Sequence, residues 1–583
     1  MIRPSLIRAL AGTLLAAVPT IAFAQATTNP GTATKSFEPV RERDAEGNVT
    51  GPSRAGWWND GVFYQILVRS FKDSDTGPLA NDGVGDFPGL TSRLDYLNDG
   101  DPSTTTDLGI TGIWLLPVSP SPSYHGYDIT DYRGINPQYG TLDDFRAFMT
   151  AAHKRGIKVL LDLVLNHNSD QSQWFIESKN PASKYRTWYI WSDSRPDYKG
   201  PWGQQVWHPI DESKPDAGPF YYGLFSRQMP DLNYKNPEVT KEMFDALKFW
   251  LDRSDKGPGV DGFRLDAIRH LIENGPQQDN TLETHQWLQA YYKQYKAANP
   301  DAASVGEVWS STEVASSYVG GQMDFTFEFD LGYAMVDAAR NGNAARIRDA
   351  QAKTLKYFPP SQYGRFLTNH DQNRVGSELG NDPGKLRVVG SMLLTGPGIP
   401  FVYYAEELGQ PGVKPDEDLR TPMPWKSDVS GFTAGKPWRK PFPAPSGTDV
   451  QTQASDPASL LNHYKKLIAV RNATPSIAHG GYVSLQSSDP GVYAFLRTPE
   501  GKSDSAAKDT AALVVINLGG NRISKLALTS DATSLRGIYS GKDALSEAKI
   551  DSLKLAETGD IASLELTEVQ PFSTRVYLLN PKK

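Results

Sequence analysis

The chain has 583 residues, 39% hydrophobic and 22% charged, an ordinary globular composition that is too long for one core, so a large domain with one or two appendages is expected. A net charge of −7 without any polybasic run excludes nucleic acid as a natural partner. The absence of Cys excludes disulfides, a lipid-anchoring Cys and every Cys-nucleophile mechanism.

The first element in chain order is a processing signal. Arg3 and Arg8 precede the apolar run Ala9 to Ala22, and Ala22-Phe23-Ala24 fits the small-residue cleavage rule. Residues 1–24 are therefore expected to be a signal peptide, and the mature protein to be secreted or periplasmic. The run is shorter than the ~20 apolar residues of a spanning helix, so no membrane anchor is expected. Residues 25–55, rich in Thr, Pro, Ala and charge without a hydrophobic period, are expected to form a flexible lead.

From Gly56 onward, short apolar runs alternate with amphipathic stretches. The predicted strands are 62–69, 112–116, 158–165, 260–265, 303–308, 323–327, 365–368 and 399–404, with helical patterns such as 142–154, 239–251 and 282–298 between them. Eight strands alternating with helices predict an α/β fold, a (β/α)8 TIM barrel built from 56–167 and 260–475. Residues 168–259 are far too long for a βα loop and predict an inserted domain after the third strand. After about residue 475, short alternating segments separated by Gly, Asn, Asp and Ser predict a C-terminal antiparallel β-sandwich domain, 476–583.

Carboxylates and His stand at successive strand ends, in DLVLNH (162–167), GFRLDAIRH (262–270), GEVW (306–309) and TNHDQ (368–372). In a β/α barrel, residues from several strand ends meet in one site on the C-terminal face. Residues two apart on a strand face the same way, so Arg264 and Asp266 point together, and the guanidinium favours an ionised Asp266. Taken singly, an Asp at a strand end is usually a turn or helix cap, and a lone His is usually structural. A second cluster, Asp73, Asp75, Asp82, Val84 and Asp86, follows the first strand. Carboxylates alternating with Gly suit Ca²⁺, which takes six to eight oxygens; the competing reading is a solvated polar loop.

The four segments, with GIWLLP (112–117), MPDLN (229–233) and GIPFVYYAEELG (398–409) in the same order, resemble the α-amylase family of glycoside hydrolases over most of the chain. The resemblance implies Asp266 as nucleophile, Glu307 as general acid/base with a raised pKa, and Asp371 as the third carboxylate gripping the sugar. It implies sugar contacts by Tyr127, His167 and His370, and aglycone-side positions for Arg269 and His270. Asp128 flanks Tyr127, and its place beside the sugar follows from the same segment. It also implies a structural calcium on Asp73, Asp75, Asp82, Val84 and Asp86, in a loop that the insertion 76–80 splits, and a calcium contact by Asn166. An α-glucan or maltooligosaccharide substrate and a monomer are expected, with no organic cofactor. Tyr124 resembles the endo-acting amylases, where its face suits an open cleft. Asp231 and the run from Arg420 to Trp425 resemble the oligosaccharide-specific branch. Ala405 stands where the family usually has Gly. Relatives of this fold that have lost catalysis lack a carboxylate and carry a membrane helix; neither mark is present in this sequence.

Overall fold

The computed structural model describes residues 37, 39–52, 54–499, 510–530, 533–556 and 558–582. The expected signal peptide lies outside the described residues. Among them, no helix is long and apolar enough to cross a membrane.

Eight parallel strands close into a barrel: β1 (Phe63–Ile66), β2 (Gly112–Leu115), β3 (Lys158–Leu163), β7 (Gly262–Leu265), β8 (Ala303–Gly306), β9 (Phe325–Phe327), β10 (Tyr363–Arg365) and β11 (Ile399–Tyr403). Between β3 and β7, β4 (Trp191–Ser192), β5 (Trp207–Pro209) and β6 (Phe220–Tyr222) form a separate antiparallel sheet. Its small core is Val206, Trp207, Phe220, Tyr222 and Leu224. The excursion opens and closes at one place, because His167 bridges Asp231 and Leu232 N–H donates to the Asn166 carbonyl at 2.9 Å.

The strands are short, mostly apolar and almost wholly buried, as strands sheathed by helices must be. Helix boundaries follow side-chain caps. Thr141 and Asp144 form a reciprocal capping box that starts the helix Leu142–Lys154, and Thr281 accepts from Thr284 N–H to start Leu282–Ala298. The seventh barrel strand is Tyr363–Arg365, upstream of the expected 365–368. Phe366 to Thr368 are buried but have left the ladder, and this carries Asn369 to Asp371 onto the rim.

Inside the barrel, Phe401 stacks on Phe63 (4.6 Å between centroids) and meets Phe327 edge-on (4.9 Å), with Trp114 above them (5.3 Å from Phe327). Gly364 makes room for this plug, since a Cβ there would lie 2.8 Å from the Phe327 ring. The plug is the floor of the candidate site.

The C-terminal strands are β12 (Gly481–Ser484), β13 (Gln486–Ser487), β14 (Val492–Thr498), β15 (Ala511–Asn517), β16 (Ile523–Ser530), β17 (Gly537–Asp543), β18 (Lys549–Leu555), β19 (Ile561–Val569) and β20 (Thr574–Pro581). They make a six-stranded and a three-stranded antiparallel sheet. Alternation along β14 and β15 ties them to the barrel: Tyr493, Phe495, Ala512, Val514 and Ile516 join the barrel core, while Val492, Ala494, Leu496, Leu513 and Val515 face the second sheet.

The expected flexible lead is corrected for its described part. Arg41 donates to the carbonyls of Ser316 (2.5 Å) and Val319 (2.9 Å) and to that of Tyr357, and buried Val49 donates to the Leu355 carbonyl at 3.2 Å. Leu355 and Tyr357 end the helix Ala345–Tyr357, where carbonyls lack intrahelical donors.

Removing the centre of the plug should be costly. Phe401→Ala is expected to lower stability by ~3–5 kcal/mol, the range for a buried aromatic truncated in a packed core. A denaturation midpoint within error of wild type would show that the plug does not support the fold.

Candidate functional site

The site is built around one cation. Arg264 on β7 lies in register with Asp162 on β3 and is 1% exposed. Its Nη1 donates to both Asp162 oxygens (2.8 Å each) and pairs with Asp266 Oδ1 (2.8 Å), while Nη2 pairs with Glu307 Oε2 (2.7 Å). Tyr127 closes the group. Its hydroxyl accepts from Arg264 Nη1 (3.1 Å) and donates to Asp162 Oδ2 (3.1 Å), and the Trp114 indole N–H donates to the same oxygen (3.2 Å). Asp162 is a central member that the sequence reading did not single out. Its signal was there, a carboxylate on a buried apolar strand four residues before Asn166, but its partner stands 102 residues downstream.

Three carboxylates cannot all ionise cheaply against one guanidinium away from water. Burial is the largest cause and raises all three, offset by Arg264: Asp162 and Asp266 are pushed up to about 6 and Glu307 to about 7. The sequence reading had Arg264 favouring ionised Asp266. The pull is present, but it is shared three ways and burial outweighs it. Glu307 ends above Asp266, and Arg264 holds both through its two terminal nitrogens, which suits an acid beside a nucleophile. Ala267, directly after Asp266, holds φ 47°, a left-handed conformation that is strained for a residue with a Cβ. That turn aims its N–H at Glu307 Oε2 (3.1 Å).

On one side stand His370 and Asp371. Gln65 donates to His370 Nδ1 (2.8 Å), leaving the proton on Nε2, which reaches Tyr127 (2.7 Å) and Asp371 Oδ2 (3.2 Å). Burial and neighbouring cations hold His370 well below its ordinary value, so it is neutral. The Tyr127 ring lies parallel to it at 5.6 Å. Arg420 pairs with Asp371 Oδ1 (2.8 Å) and donates to the His370 carbonyl (3.0 Å) and the Tyr124 hydroxyl (3.3 Å). Tyr124 stacks on Trp438 at 5.2 Å, so one of its faces is covered.

On the other side, His167 Nε2 is buried without a hydrogen-bond partner. Its ring meets Phe225 at 5.3 Å. His270 donates from Nδ1 to the Gln278 carbonyl (2.8 Å), and burial pushes it down to about 4. Arg269 donates to the Trp309 carbonyl (2.6 Å) and pairs with Asp279. Asp128 accepts from Ser121 (2.5 Å) and Ser123, so it braces the loop carrying Tyr124 and Tyr127.

A family model described as the alpha amylase catalytic domain matches residues 65–480. The chain belongs to the α-amylase family. Alpha-amylase 3 of Dictyoglomus thermophilum is 37% identical over 446 residues, 75% of this chain and 82% of that protein. Trehalose synthase/amylase TreS of Mycolicibacterium smegmatis is 34% identical over 525 residues, 80% and 85% of the two chains. An oligo-1,6-glucosidase of Halalkalibacterium halodurans is 30% identical over 601 residues, 90% and 99%. Among solved structures, an alpha-amylase from H.orenii superposes with a TM-score of 0.74 at 34% identity, covering 90% of this chain and 99% of that one.

The calcium residues expected from the α-amylase family resemblance do not all converge. Asp73 accepts from Asn81 N–H (3.0 Å), Gly83 N–H (2.9 Å) and Thr433 (2.6 Å), and Asp86 accepts from Ser74 and Gly89. Asp82 accepts from Val84 N–H, and Asp73 raises both Asp82 and Asp86, behind burial as the larger cause. Asp75 departs from the set: its side chain is 75% exposed and pairs with Lys72 at 2.8 Å. Asn166 lies elsewhere, donating to Asp231 (2.9 Å) with its own Oδ1 buried and unpartnered. Among the described residues no three His, Cys, Asp or Glu side chains form a ready metal cage. A cation here would need carbonyls and water beside Asp73, Asp82 and Asp86.

The protonation order predicts a narrow pH profile. Activity should rise as Asp266 ionises near about 6 and fall as Glu307 loses its proton near about 7, with both limbs belonging to the coupled cluster. The measurement is kcat/KM against pH, and a flat profile from pH 5 to 9 would reject these roles.

Proposed function

We propose that the protein is a retaining glycoside hydrolase that cleaves α-1,4-glucosidic bonds of starch and maltooligosaccharides, as an α-amylase, by double displacement. The observation that carries this reading is that one guanidinium holds both carboxyls, Arg264 Nη1 2.8 Å from Asp266 Oδ1 and Nη2 2.7 Å from Glu307 Oε2. Retaining enzymes place their two carboxyls ~5 Å apart, whereas inverting ones leave ~6.5–9.5 Å for a water, and two carboxyls gripped by the two ends of one guanidinium fit the shorter separation. Asp266 attacks the anomeric carbon as Glu307 protonates the leaving oxygen. Water, deprotonated by Glu307, then releases the sugar with its α-configuration restored. Asp371, positioned by Arg420, grips sugar hydroxyls. His370 stays neutral and donates from Nε2.

A second reading, an exo-acting α-glucosidase, oligo-1,6-glucosidase or transglycosylase, is favoured by one specific feature. Arg420 ties Asp371 to Tyr124, and Trp438 backs Tyr124, walling the far side of the sugar. Early products from maltoheptaose distinguish the two readings. Internal fragments of α-configuration support the amylase; glucose released alone supports the second. Asp266→Asn should lower kcat on either substrate class by at least ~10³-fold with folding intact, as expected for loss of a covalent nucleophile. Undiminished turnover would remove Asp266 from its role.

Calcium is proposed at the loop of Asp73, Asp82 and Asp86 on donor chemistry, three carboxylates on one short segment with Asp73 opposing ionisation of the other two. Ligand binding to the native state raises its stability. Chelation should therefore lower the melting temperature and added Ca²⁺ restore it; identical melts would reject the site.

A further inference from the structure

Glu328 is a buried carboxyl that the reaction described above does not use. It follows β9, is 1% exposed, and caps the helix Phe329–Asn341 by accepting from the Leu331 N–H through Oε2. Its other oxygen, Oε1, lies 2.5 Å from the Thr312 hydroxyl, and the same hydroxyl lies 3.1 Å from Asp330 Oδ2. A hydroxyl has one proton and satisfies one carboxylate at a time. Asp330 is open to water and faces Lys353 Nζ at 3.4 Å, so it keeps its charge and takes the Thr312 proton. The shorter contact then closes only if Glu328 carries a proton of its own and donates it to Thr312. The charged and titratable groups around it are Asp330 on its own helix, Lys353 and its partner Glu313 (3.0 Å) on two neighbouring helices, and Arg365 and Tyr363 on β10. Burial outweighs them all and pushes Glu328 up to about 7.

The bond matters because of what its two ends carry. Thr312 opens the helix Thr312–Ser317, at the end of the segment that begins with Glu307. On the other end, the Glu328 N–H donates to the Gly364 carbonyl on β10 at 3.0 Å. Phe329 stacks flat on Trp309 (4.9 Å, 10°), beside Glu307, and meets Phe366 edge-on (5.0 Å) on the segment that leads from β10 to Asp371. One carboxyl therefore ties the strand end of the acid to the strand end of the third carboxylate. We propose that Glu328 is a positioning residue, whose donated hydrogen bond to Thr312 holds the Glu307 segment against the segment of Asp371. It acts through Thr312 and Phe329. The inference rests on the roles proposed above for Glu307 and Asp371. Loss of the Glu328 proton sets two carboxylates against one hydroxyl, so the tie holds below a pH of about 7 and loosens above it.

The test compares two variants on whichever of maltoheptaose and isomaltose the wild type turns over. Glu328→Gln keeps both contacts, an oxygen for the Leu331 N–H and an N–H for Thr312, and cannot ionise. It should retain kcat and KM within about twofold. Glu328→Ala should lower kcat by about 10- to 100-fold with KM within about threefold, because a misplaced acid slows chemistry more than binding. The pH profile gives a signature that packing alone would not. On the alkaline side, wild-type log kcat/KM should fall with a slope of about two, one proton from Glu307 and one from Glu328, and Glu328→Gln should reduce that slope to about one. Difference infrared spectra near pH 6 should show a protonated-carboxyl band that Glu328→Gln removes. Wild-type kinetics in Glu328→Ala, equal losses in both variants, or an unchanged slope in Glu328→Gln overturns the inference. If Glu328→Ala fails to fold, the slope and the band decide. Undiminished turnover in Glu307→Gln overturns the catalytic reading instead, and the infrared band still decides whether Glu328 holds the proton.

Discussion

Everything at the top of this barrel is organised by the guanidinium of Arg264. One buried positive charge meets Asp162, Asp266, Glu307 and the Tyr127 hydroxyl. Burying charged groups costs several kcal/mol each unless they are paired, and removing one partner leaves the others uncompensated. With three acids to one base, the cluster balances only by retaining protons, and Glu307, pushed up to about 7, holds its proton longest. Separate protonation of two neighbouring carboxyls, which acid–nucleophile chemistry requires, is thus a result of charge counting in a dry site.

The two sides of the cluster are built differently. Toward Asp371 the wall is ionic and tied down, with Arg420 bonded to Asp371, the His370 backbone and Tyr124. Toward His270 it is aromatic and partly open, and it borrows Phe225 and Trp202 from the excursion after β3. The barrel supplies the reacting groups. The loops beyond the strand ends supply the walls, and relatives named for different products align with most of this chain.

The barrel was legible because apolar runs repeat at strand length and helix caps announce themselves in sequence: the helices 142–154 and 282–298 stand as predicted. Asp266, Glu307 and Asp371 stood out by their position after such runs. Asp162 did not, since its meaning depends on the β3–β7 register across an excursion of about ninety residues, which no local pattern encodes. Asp75 was misplaced because proximity in sequence was taken for convergence, and Lys72 draws it outward. The packing of Arg41 and Val49 escaped notice because single bonds to helix-end carbonyls leave no periodicity. Tyr124 was read by its residue type, and its partner Trp438 lies more than three hundred positions away.

The left-handed Ala267 has a bearing on evolvability. A non-glycine residue in that region gives up about 1–2 kcal/mol, and Ala405 beyond β11 does the same at φ 66°. Both turns sit on the catalytic face, so the protein withholds its best local stability where chemistry happens. At Ala405 a glycine could recover that loss without touching the reacting groups. At Ala267 the same exchange would free the one peptide that carries an N–H from the nucleophile's turn to the acid, and thermal robustness would be gained there against catalytic order.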